Sequence, residues 1–363
     1  MKTWESPLGA LELSRWPVRE EEAQAWDGAD TYLLEELRDR GLLEGPLLVL
    51  GDTWGALAVA LASGGTEATV WSDSDVTRRA LAVNAERAGV QVGFVPSTEA
   101  PPAAAAVVGR LPKSLPRLEW MLARLELEAG TPVLLGDKSK KVQKSHVAVA
   151  QEALGAAEST RARHRARLVT ARVTEDRAVG AVEPLAHSVE GAQVRGWPGV
   201  FGAAELDGGT RALLDAMGAP KGAVVDLGCG AGTLGLVARA RGLAEQVTFA
   251  DASYAAVASA RLGWAANGWD EGAAFVATDV LDGVEDASAD VVLCNPPFHA
   301  QGERTRRIAA HMISESHRVL RPGGRLLLVG NRHLGYLPGV KRRFGAAEAI
   351  GGDRRFVVVE GVR

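Results

Sequence analysis

The sequence contains little of what several classes of protein require. Only two cysteines, Cys229 and Cys294, occur in 363 residues, too few for a disulfide framework. No uninterrupted apolar stretch reaches the roughly 20 residues that a membrane-spanning helix needs. The first residues, Met1–Ser6, have neither a basic start nor an apolar core, so we expect no signal peptide. These absences predict a soluble, cytoplasmic protein without a membrane partner.

Strong charge of one sign is also missing. The formal net charge is −4, which argues against non-specific coating of nucleic acid but is compatible with a local basic patch. Hydrophobic residues make up 47% and charged residues 24%, which excludes disorder of the whole chain. The seven histidines show no ligand spacing with the cysteines, so we predict no metal site.

Short apolar runs alternate with longer helical patterns along the chain, which is typical of βαβ units around a parallel sheet. The two halves can be laid over each other, since LGDTWGAL from Leu50 matches LGCGAGTL from Leu227. The sequence therefore predicts an α/β protein of two tandem Rossmann-like domains. We place the domains at residues 1–171 and 196–363, with a linker of weak periodicity at 172–195.

A glycine-rich turn is the first motif that carries chemistry. Residues 224–235 read VVDLGCGAGTLG, a buried strand that ends in an acid and glycines before a helix. Glycine lets the backbone approach a ligand closely, and the helix N-terminus attracts negative charge. Gly230–Gly235 satisfies the dinucleotide pattern G-x-G-x-x-G. The alternative, the D-x-G-x-G-x-G loop of S-adenosylmethionine (SAM) methyltransferases, uses Asp226, Gly228, Gly230 and Gly232, and the loop alone leaves both open.

Two acidic residues follow the next two predicted strands. Asp251 is expected to accept the ribose hydroxyls of a nucleoside, a device that both enzyme classes share, or else to cap the following helix. Asp279 is expected near an adenine edge, where it would accept from the exocyclic amine. Neither residue separates the two classes.

The second motif separates them. Residues 290–299 read DVVLCNPPFH, an apolar strand that ends in Asn-Pro-Pro-aromatic. Pro296 and Pro297 fix φ and remove N–H donors, so the Asn295 side chain and the Pro296 carbonyl can both point as acceptors into one pocket. Two such acceptors orient an exocyclic amine on a flat ring, and Phe298 can stack on that ring. His299 is expected either to contact the target nucleotide or to hold the turn. Hydride transfer does not use this group, so we infer methyl transfer.

Together these motifs resemble the tandem-domain rRNA guanine-N2 methyltransferases of bacteria, in which the N-terminal domain is a decayed copy of the catalytic one. The tail, with GNRHLGY at 330–336 and RFVVV at 355–359, is similar to the large-subunit (23S) branch. The resemblance covers nearly the whole chain and implies a class I methyltransferase fold. It implies that SAM is held by Asp226, Gly228, Gly230 and Asp251, and that the target amine meets Asn295, Pro296 and Phe298. The family's Val-Phe-Ser segment reads Val-Phe-Gly here, which makes Phe201 a candidate substrate contact without the neighbouring hydroxyl.

The first half has lost the corresponding features. GDTWG at 51–55 lacks the middle glycine, and GRLPK at 109–113 stands where Asn-Pro-Pro is expected. We therefore expect a degenerate domain that holds RNA through a basic patch. Its predicted phosphate contacts are Arg110, Lys113, Lys138, Lys140, Lys141, Lys144, Arg161, Arg163, Arg165 and Arg167.

The function expected from the sequence is SAM-dependent methylation of the exocyclic N2 of a specific guanine in 23S rRNA. The same motif leaves open the small-subunit (16S) rRNA branch, and methylation of adenine N6 or of a protein glutamine amide. An alternative of another class is a non-catalytic RNA-binding ribosome-assembly factor.

Overall fold

A computed structural model describes residues 2–17, 23–297 and 303–363. The chain divides into two compact units, Met1–Val182 and Glu183–Arg363, and each encloses its own apolar core. Within the described ranges, no helix combines the length and the apolar character needed to cross a membrane.

The first unit is built from strands and helices in alternation. Its strands in the described residues are β1 (Lys2–Ser6), β2 (Gly9–Leu13), β3 (Leu47–Leu50), β4 (Ala68–Ser72), β5 (Gly93–Pro96), β6 (Ala106–Arg110), β7 (Pro132–Lys138), β8 (Gly155–Ser159) and β9 (Ala166–Val173). Its helices, as far as the structure describes them, are α1 (Gly28–Asp39), α2 (Ala56–Ser63), α3 (Asp75–Ala88), α4 (Leu115–Ala123) and α5 (Lys144–Leu154).

The second unit repeats this order. Its strands are β10 (Leu185–Val189), β11 (Ala192–Gly196), β12 (Gly222–Leu227), β13 (Ala244–Asp251), β14 (Ala273–Ala277), β15 (Ala289–Cys294), β16 (Leu320–Asn331), β17 (Ala347–Gly352) and β18 (Phe356–Val362). Its α-helices in the described residues are α6 (Gly208–Met217), α7 (Thr233–Ala240), α8 (Tyr254–Ala266), α9 (Glu303–Val319) and α10 (Tyr336–Phe344), and a 3-10 turn spans Arg332–Leu334.

Both units have the same sheet topology. The seven strands run β5-β4-β3-β6-β7-β9-β8 in the first unit and β14-β13-β12-β15-β16-β18-β17 in the second. In each sheet the first five strands of that order are parallel, and the last two pair antiparallel. The predicted fold, two tandem Rossmann-like α/β domains, is confirmed.

Local sequence explains why these elements form. The central strand β3 is all aliphatic and fully buried, as expected for a parallel strand covered on both faces. Helices α2 and α7 are each eight residues long and start after glycines at positive φ, 77° at Gly55 and 83° at Gly232. The serines that precede α3 and α8, Ser74 and Ser253, accept hydrogen bonds from the first helical turn and so set where those helices begin.

The range 172–195, predicted as a linker, holds the end of β9 and most of a β-hairpin. Strands β10 and β11 pair antiparallel and are joined by Glu190 and Gly191, which have φ values of 49° and 85°. Positive φ at both central residues is the geometry of a tight hairpin turn. Strands β1 and β2 form a matching hairpin at the start of the first unit. The predicted domain bounds, and the predicted roles of the first domain in RNA binding and of the second in catalysis, stay predictions.

The topology brings the predicted motifs of the second unit to one edge of its sheet. Leu227, at the end of β12, pairs with Ala250 of β13 on one side and Cys294 of β15 on the other. The residues that follow, the glycine-rich turn, Asp251 and Asn295, therefore lie side by side beyond the carboxyl ends of neighbouring strands. Ligands of open α/β sheets bind in the crevice at this edge.

Candidate active site

The glycine-rich turn between β12 and α7 has a backbone conformation that favours glycine. Gly228, Gly230 and Gly232 have φ values of 71°, 52° and 83°. A Cβ on Gly230 would also lie 2.6 Å from the carbonyl oxygen of Phe201, and one on Gly232 would lie 2.8 Å from the Cβ of Ala260. The glycines thus combine left-handed conformation with close approach to their neighbours.

Gly230→Ala is expected to lower the affinity for SAM by more than about tenfold, because the added methyl group must displace the backbone of residue 201. Gly242→Ala is the matched control. Gly242 also has a positive φ, 88°, but no atom lies within 4 Å of the position that an added Cβ would take, so the substitution there introduces a left-handed alanine without a clash. Calorimetric titration of both variants with SAM measures the difference, and equal affinities would contradict the expectation.

Asp226 supports this turn from the interior. Its carboxylate is 1% exposed and accepts a hydrogen bond of 2.9 Å from the amide of Gly235 in the first turn of α7. Burial raises the pKa of Asp226 to about 8. The side chain holds the helix N-terminus against the strand end.

The amides of the turn are all committed to oxygens of the protein. Those of Gly228 and Cys229 donate to the Ala250 carbonyl, at 2.8 and 3.2 Å. The Gly230 amide donates to the Asp251 carboxylate at 3.0 Å, and the Ala231 amide donates to the Phe201 carbonyl at 2.9 Å. The Gly232 amide donates to the Cys229 carbonyl at 2.8 Å. The five amides therefore hold the shape of the turn.

Asp251 lies at the end of β13, as predicted. Its two carboxylate oxygens accept from the amides of Gly230, at 3.0 Å, and Ser253, at 2.9 Å. The side chain thereby ties the glycine-rich turn to the start of α8. Asp279 lies one residue beyond Thr278, whose amide donates to the Asp251 carbonyl at 2.9 Å, so both acids occupy the same sheet edge.

Asn295 follows β15, and its amide group is held in one orientation. The Nδ2 atom donates to the Asp207 carboxylate at 3.1 Å and to the Thr210 hydroxyl oxygen at 3.0 Å. The Oδ1 atom is buried and has no hydrogen-bond partner within the described part of the chain. A buried acceptor without a partner is costly, so this oxygen marks a place where a ligand donor is expected.

Asp207 caps helix α6 and is ionised. It accepts from the amides of Gly209 and Thr210 at 3.0 and 2.8 Å and from the Thr210 hydroxyl at 2.8 Å. Burial alone would raise the pKa of Asp207, but these hydrogen bonds and the one from Asn295 outweigh burial and hold it below its usual value. Asp207 was not among the site residues predicted from the sequence. The Asp-x-x-Thr spacing of a helix cap is the local signal that marks the pair.

A cavity that opens to the solvent lies between α6, the glycine-rich turn and Asn295. It is lined by Phe201, Gly202, Glu205, Leu206, Asp207, Thr210, Gly228, Cys229, Thr233, Leu234 and Asn295. Cys229 and Cys294 are free, buried thiols whose pKa is raised by burial. Among the described side chains, no cluster of three or more His, Cys, Asp or Glu is arranged to hold a metal ion.

The remaining predicted residues lie beyond the end of β15 or at the rim of the cavity. Pro296 is buried and Pro297 exposed. Phe201 is 46% exposed and borders the cavity. Phe298 and His299 fall outside the described residues, so their predicted contacts with the target nucleotide stay predictions.

Known proteins resemble the chain over its full length. Residues 191–360 match the family model of the methyltransferase small domain, and residues 1–175 match that of the RLMG N-terminal domain. Ribosomal RNA large subunit methyltransferase G of Streptomyces coelicolor is 39% identical, covering 99% of each chain, and its namesake from Aeromonas hydrophila is 36% identical, covering 97% of each. The chain belongs to the ribosomal RNA large subunit methyltransferase G family.

Membership in the methyltransferase G family confirms the predicted family and enzyme class, a SAM-dependent methyltransferase. The solved structure of T. thermophilus 16S rRNA N2 G1207 methyltransferase, in complex with AdoMet and guanosine, supports the tandem fold. It is 24% identical with a TM-score of 0.78 and covers 100% of this chain and 97% of its own. The residues at the sheet edge fit SAM, because the Asp251 carboxylate lies beside the glycine-rich turn and that turn borders the cavity.

In this member of the methyltransferase G family, the first unit carries an ion-pair cluster at the matching sheet edge. Arg110 ends β6, and its guanidinium lies 2.7 Å from Asp27, 2.9 Å from Asp30 and 3.5 Å from Asp137. Burial alone would lower the pKa of Arg110, but the three carboxylates raise it and keep the side chain charged. The guanidinium of Arg110 is thus paired with acids of its own unit, and its predicted contact with RNA phosphates stays a prediction.

The other predicted phosphate contacts have a different environment. Lys113 and Lys138 are exposed, and so are the further basic residues of the predicted patch, Lys140, Lys141, Lys144, Arg161, Arg163, Arg165 and Arg167. Two of these pair with acids, Lys141 with Asp137 at 3.3 Å and Arg163 with Glu35 at 2.8 Å. The role of Lys113 and Lys138 in the methyltransferase G family stays a prediction.

Proposed function

We propose that this protein transfers the methyl group of SAM to the exocyclic N2 of a specific guanine in 23S rRNA, in the bacterial cytoplasm. One observation carries the proposal: a buried amide oxygen of Asn295 without a partner in the described chain, next to the cavity and the glycine-rich turn. The relatives' names support large-subunit rRNA as the substrate. The T. thermophilus enzyme, a 16S rRNA methyltransferase, supports guanine N2 as a target suited to this fold.

The residues of the sheet edge act on the amine by orientation. Asn295 Oδ1 and the Pro296 carbonyl each accept one hydrogen bond from the guanine N2 amine, and Phe298 stacks on the ring of the flipped base. The glycine-rich turn and Asp251 would hold SAM, which would supply an electrophilic methyl group for N2 with its thioether as the leaving group. The amine becomes acidic only once it is methylated, so the proton then leaves to water. Positioning thus supplies most of the rate enhancement.

The cofactor is held by the turn and the acids beside it. Gly228, Gly230 and Gly232 let the chain approach SAM closely, and Asp251 accepts from its ribose hydroxyls. Asp279 accepts from the adenine amine. We assign Asp226 a supporting role, because its carboxylate is buried against the Gly235 amide. Phe201, exposed at the rim of the cavity, contacts the entering base.

The first unit is proposed to hold rRNA. Its exposed Lys113 and Lys138 supply phosphate contacts, as counterion release requires basic side chains open to the solvent. The unit is catalytically inactive because Arg110, paired with Asp27 and Asp30, occupies the position that Asn295 occupies in the second unit.

Incubation with radiolabelled SAM and separate 16S and 23S rRNA preparations tests the proposal. We expect label only in 23S rRNA, at a single site that digestion and mass spectrometry identify as N2-methylguanosine. Label confined to 16S rRNA would move the chain to the small-subunit activity. Binding of rRNA without any label would favour the assembly-factor alternative.

A further inference from the structure

The hydrogen bonds on Asn295 leave one orientation of its amide group. Amide oxygen and nitrogen have nearly the same shape, so an asparagine can rotate by half a turn unless its partners distinguish the two ends. Here the Asp207 carboxylate and the Thr210 hydroxyl both accept hydrogen bonds from Nδ2, so the atom that faces them must be a donor. The reversed orientation would place Oδ1 against the Asp207 carboxylate and aim N–H donors at the cavity.

We infer that Asp207 and Thr210 are positioning residues that hold the Asn295 oxygen toward the reacting amine. The inference rests on the proposed function, since it assigns these residues a role in the same site. The amine of the target base is a donor, so only the observed orientation of Asn295 can accept its hydrogen bond. Neither Asp207 nor Thr210 needs to touch the base for this effect.

The two side chains form a directed chain of hydrogen bonds. The Thr210 hydroxyl donates to Asp207 at 2.8 Å and accepts from Asn295 Nδ2 at 3.0 Å. A hydroxyl has one proton, so donation to the carboxylate presents its lone pairs to Asn295. Two backbone amides at the start of α6 fix the carboxylate itself. The whole set is thus oriented by a rigid helix terminus.

The first unit retains the same arrangement with other side chains. Asp27 caps α1, Asp30 is the third residue of that helix, and both bind Arg110, the residue after the buried part of β6. In the second unit Asp207 caps α6, and Thr210, again the third residue, binds Asn295. The acid Asp30 accompanies a cation, whereas the neutral Thr210 accompanies a neutral amide. In both units the cap and third helix residue therefore match the group they hold.

A double-mutant cycle tests the inference by separating positioning from general damage. Thr210→Val removes the hydroxyl with little change in shape, and we expect kcat for 23S rRNA methylation to fall about tenfold, the loss of one hydrogen bond in the reacting arrangement. SAM affinity and KM for the RNA should stay within about twofold of the wild type. Thr210→Ser should restore most of kcat. In an Asn295→Ala background, Thr210→Val should have no further effect on single-turnover rates.

Thr66→Val is the matched control, since the buried Thr66 likewise donates one hydrogen bond, to the Leu43 carbonyl in the first unit. Its kcat should equal that of the wild type. Asp207→Asn gives a second variant that keeps a good helix cap but removes the charge, and it too should lose kcat. Equal losses from Thr210→Val with and without Asn295, or an unchanged kcat in both Thr210→Val and Asp207→Asn, would overturn the inference. Failure of the wild type to form N2-methylguanosine would instead overturn the proposed function.

Discussion

Asn295→Ala is expected to lower kcat for guanine methylation by about 100- to 1000-fold, the usual cost of removing one preorganised hydrogen-bonding group from a reacting centre. The lost group is the buried Oδ1 atom, which has no partner in the described chain and is available to the amine. The affinity for SAM should change by less than about threefold, because the glycine-rich turn and Asp251 are tied together without Asn295. Single-turnover assays and SAM titrations measure the two quantities.

The Asn295→Asp variant tests whether activity needs the amide group at this position or only a side chain of the same size. An aspartate keeps acceptor oxygens but loses the Nδ2 donor, and its charge would face the Asp207 carboxylate that now accepts from Asn295. We expect it to be nearly as slow as Asn295→Ala, because repulsion between the carboxylates turns the side chain away. Full activity of Asn295→Ala would exclude the proposed hydrogen bond from the guanine amine to Asn295. A matching loss of SAM affinity would show instead that the substitution disrupts the turn.

The parts of the site that the sequence predicted depend on short stretches of chain. The glycine-rich turn follows a buried strand and precedes a helix, and Asn295 lies between an apolar strand and two prolines. Strand alternation with helices then specifies which turns share a sheet edge. Family resemblance added the enzyme class, and the relatives confirmed it.

The parts that the sequence did not predict depend on pairs of residues far apart in the chain. Asn295 and Asp207 are 88 positions apart, and Arg110 and Asp27 are 83 apart. An arginine looks the same in sequence whether it faces RNA or three carboxylates of its own unit, so the sequence could not predict the ion pairs of Arg110. Exposure and partners are properties of packing, and they are visible only once α1 is placed beside β6.

The contacts that support helices α2 and α7 show another limit of prediction from the sequence. In the second unit Asp226, inside the strand, accepts from the amide of the third residue of α7. In the first unit Asp52, inside the turn, accepts at 2.9 Å from Ala58, the third residue of α2. The same support is thus supplied from two different sequence positions. Alignment of the halves shows the lost glycine but not that Asp52 has taken over this contact.

Arg110→Ala is expected to destabilise the first unit by about 3–5 kcal/mol, the usual cost of removing one partner of a buried ion pair. Asp27, Asp30 and Asp137 would lose the cation that all three contact. For a unit of this size, about 2–4 °C of Tm per kcal/mol predicts a fall of roughly 10 °C. Arg38→Ala is the matched control, because Arg38 pairs with Asp39 at 3.1 Å with both side chains half exposed, and such surface pairs contribute less than about 1 kcal/mol.

The deficit of Arg110→Ala should grow as the pH rises. Burial already raises the pKa of Asp30 above its usual value, and loss of Arg110 raises it further. A carboxyl whose pKa is higher in the folded than in the unfolded protein binds more protons when folded, so its contribution to stability is full below the unfolded pKa of about 3.9 and is lost as the pH rises through the folded pKa. Urea unfolding of wild type and variant at about pH 5 and about pH 8 should give the larger difference at the higher pH. A difference that is independent of pH would mean that the carboxylates find other partners, and a Tm loss no greater than that of Arg38→Ala would mean that the cluster is not a buried ion pair in solution.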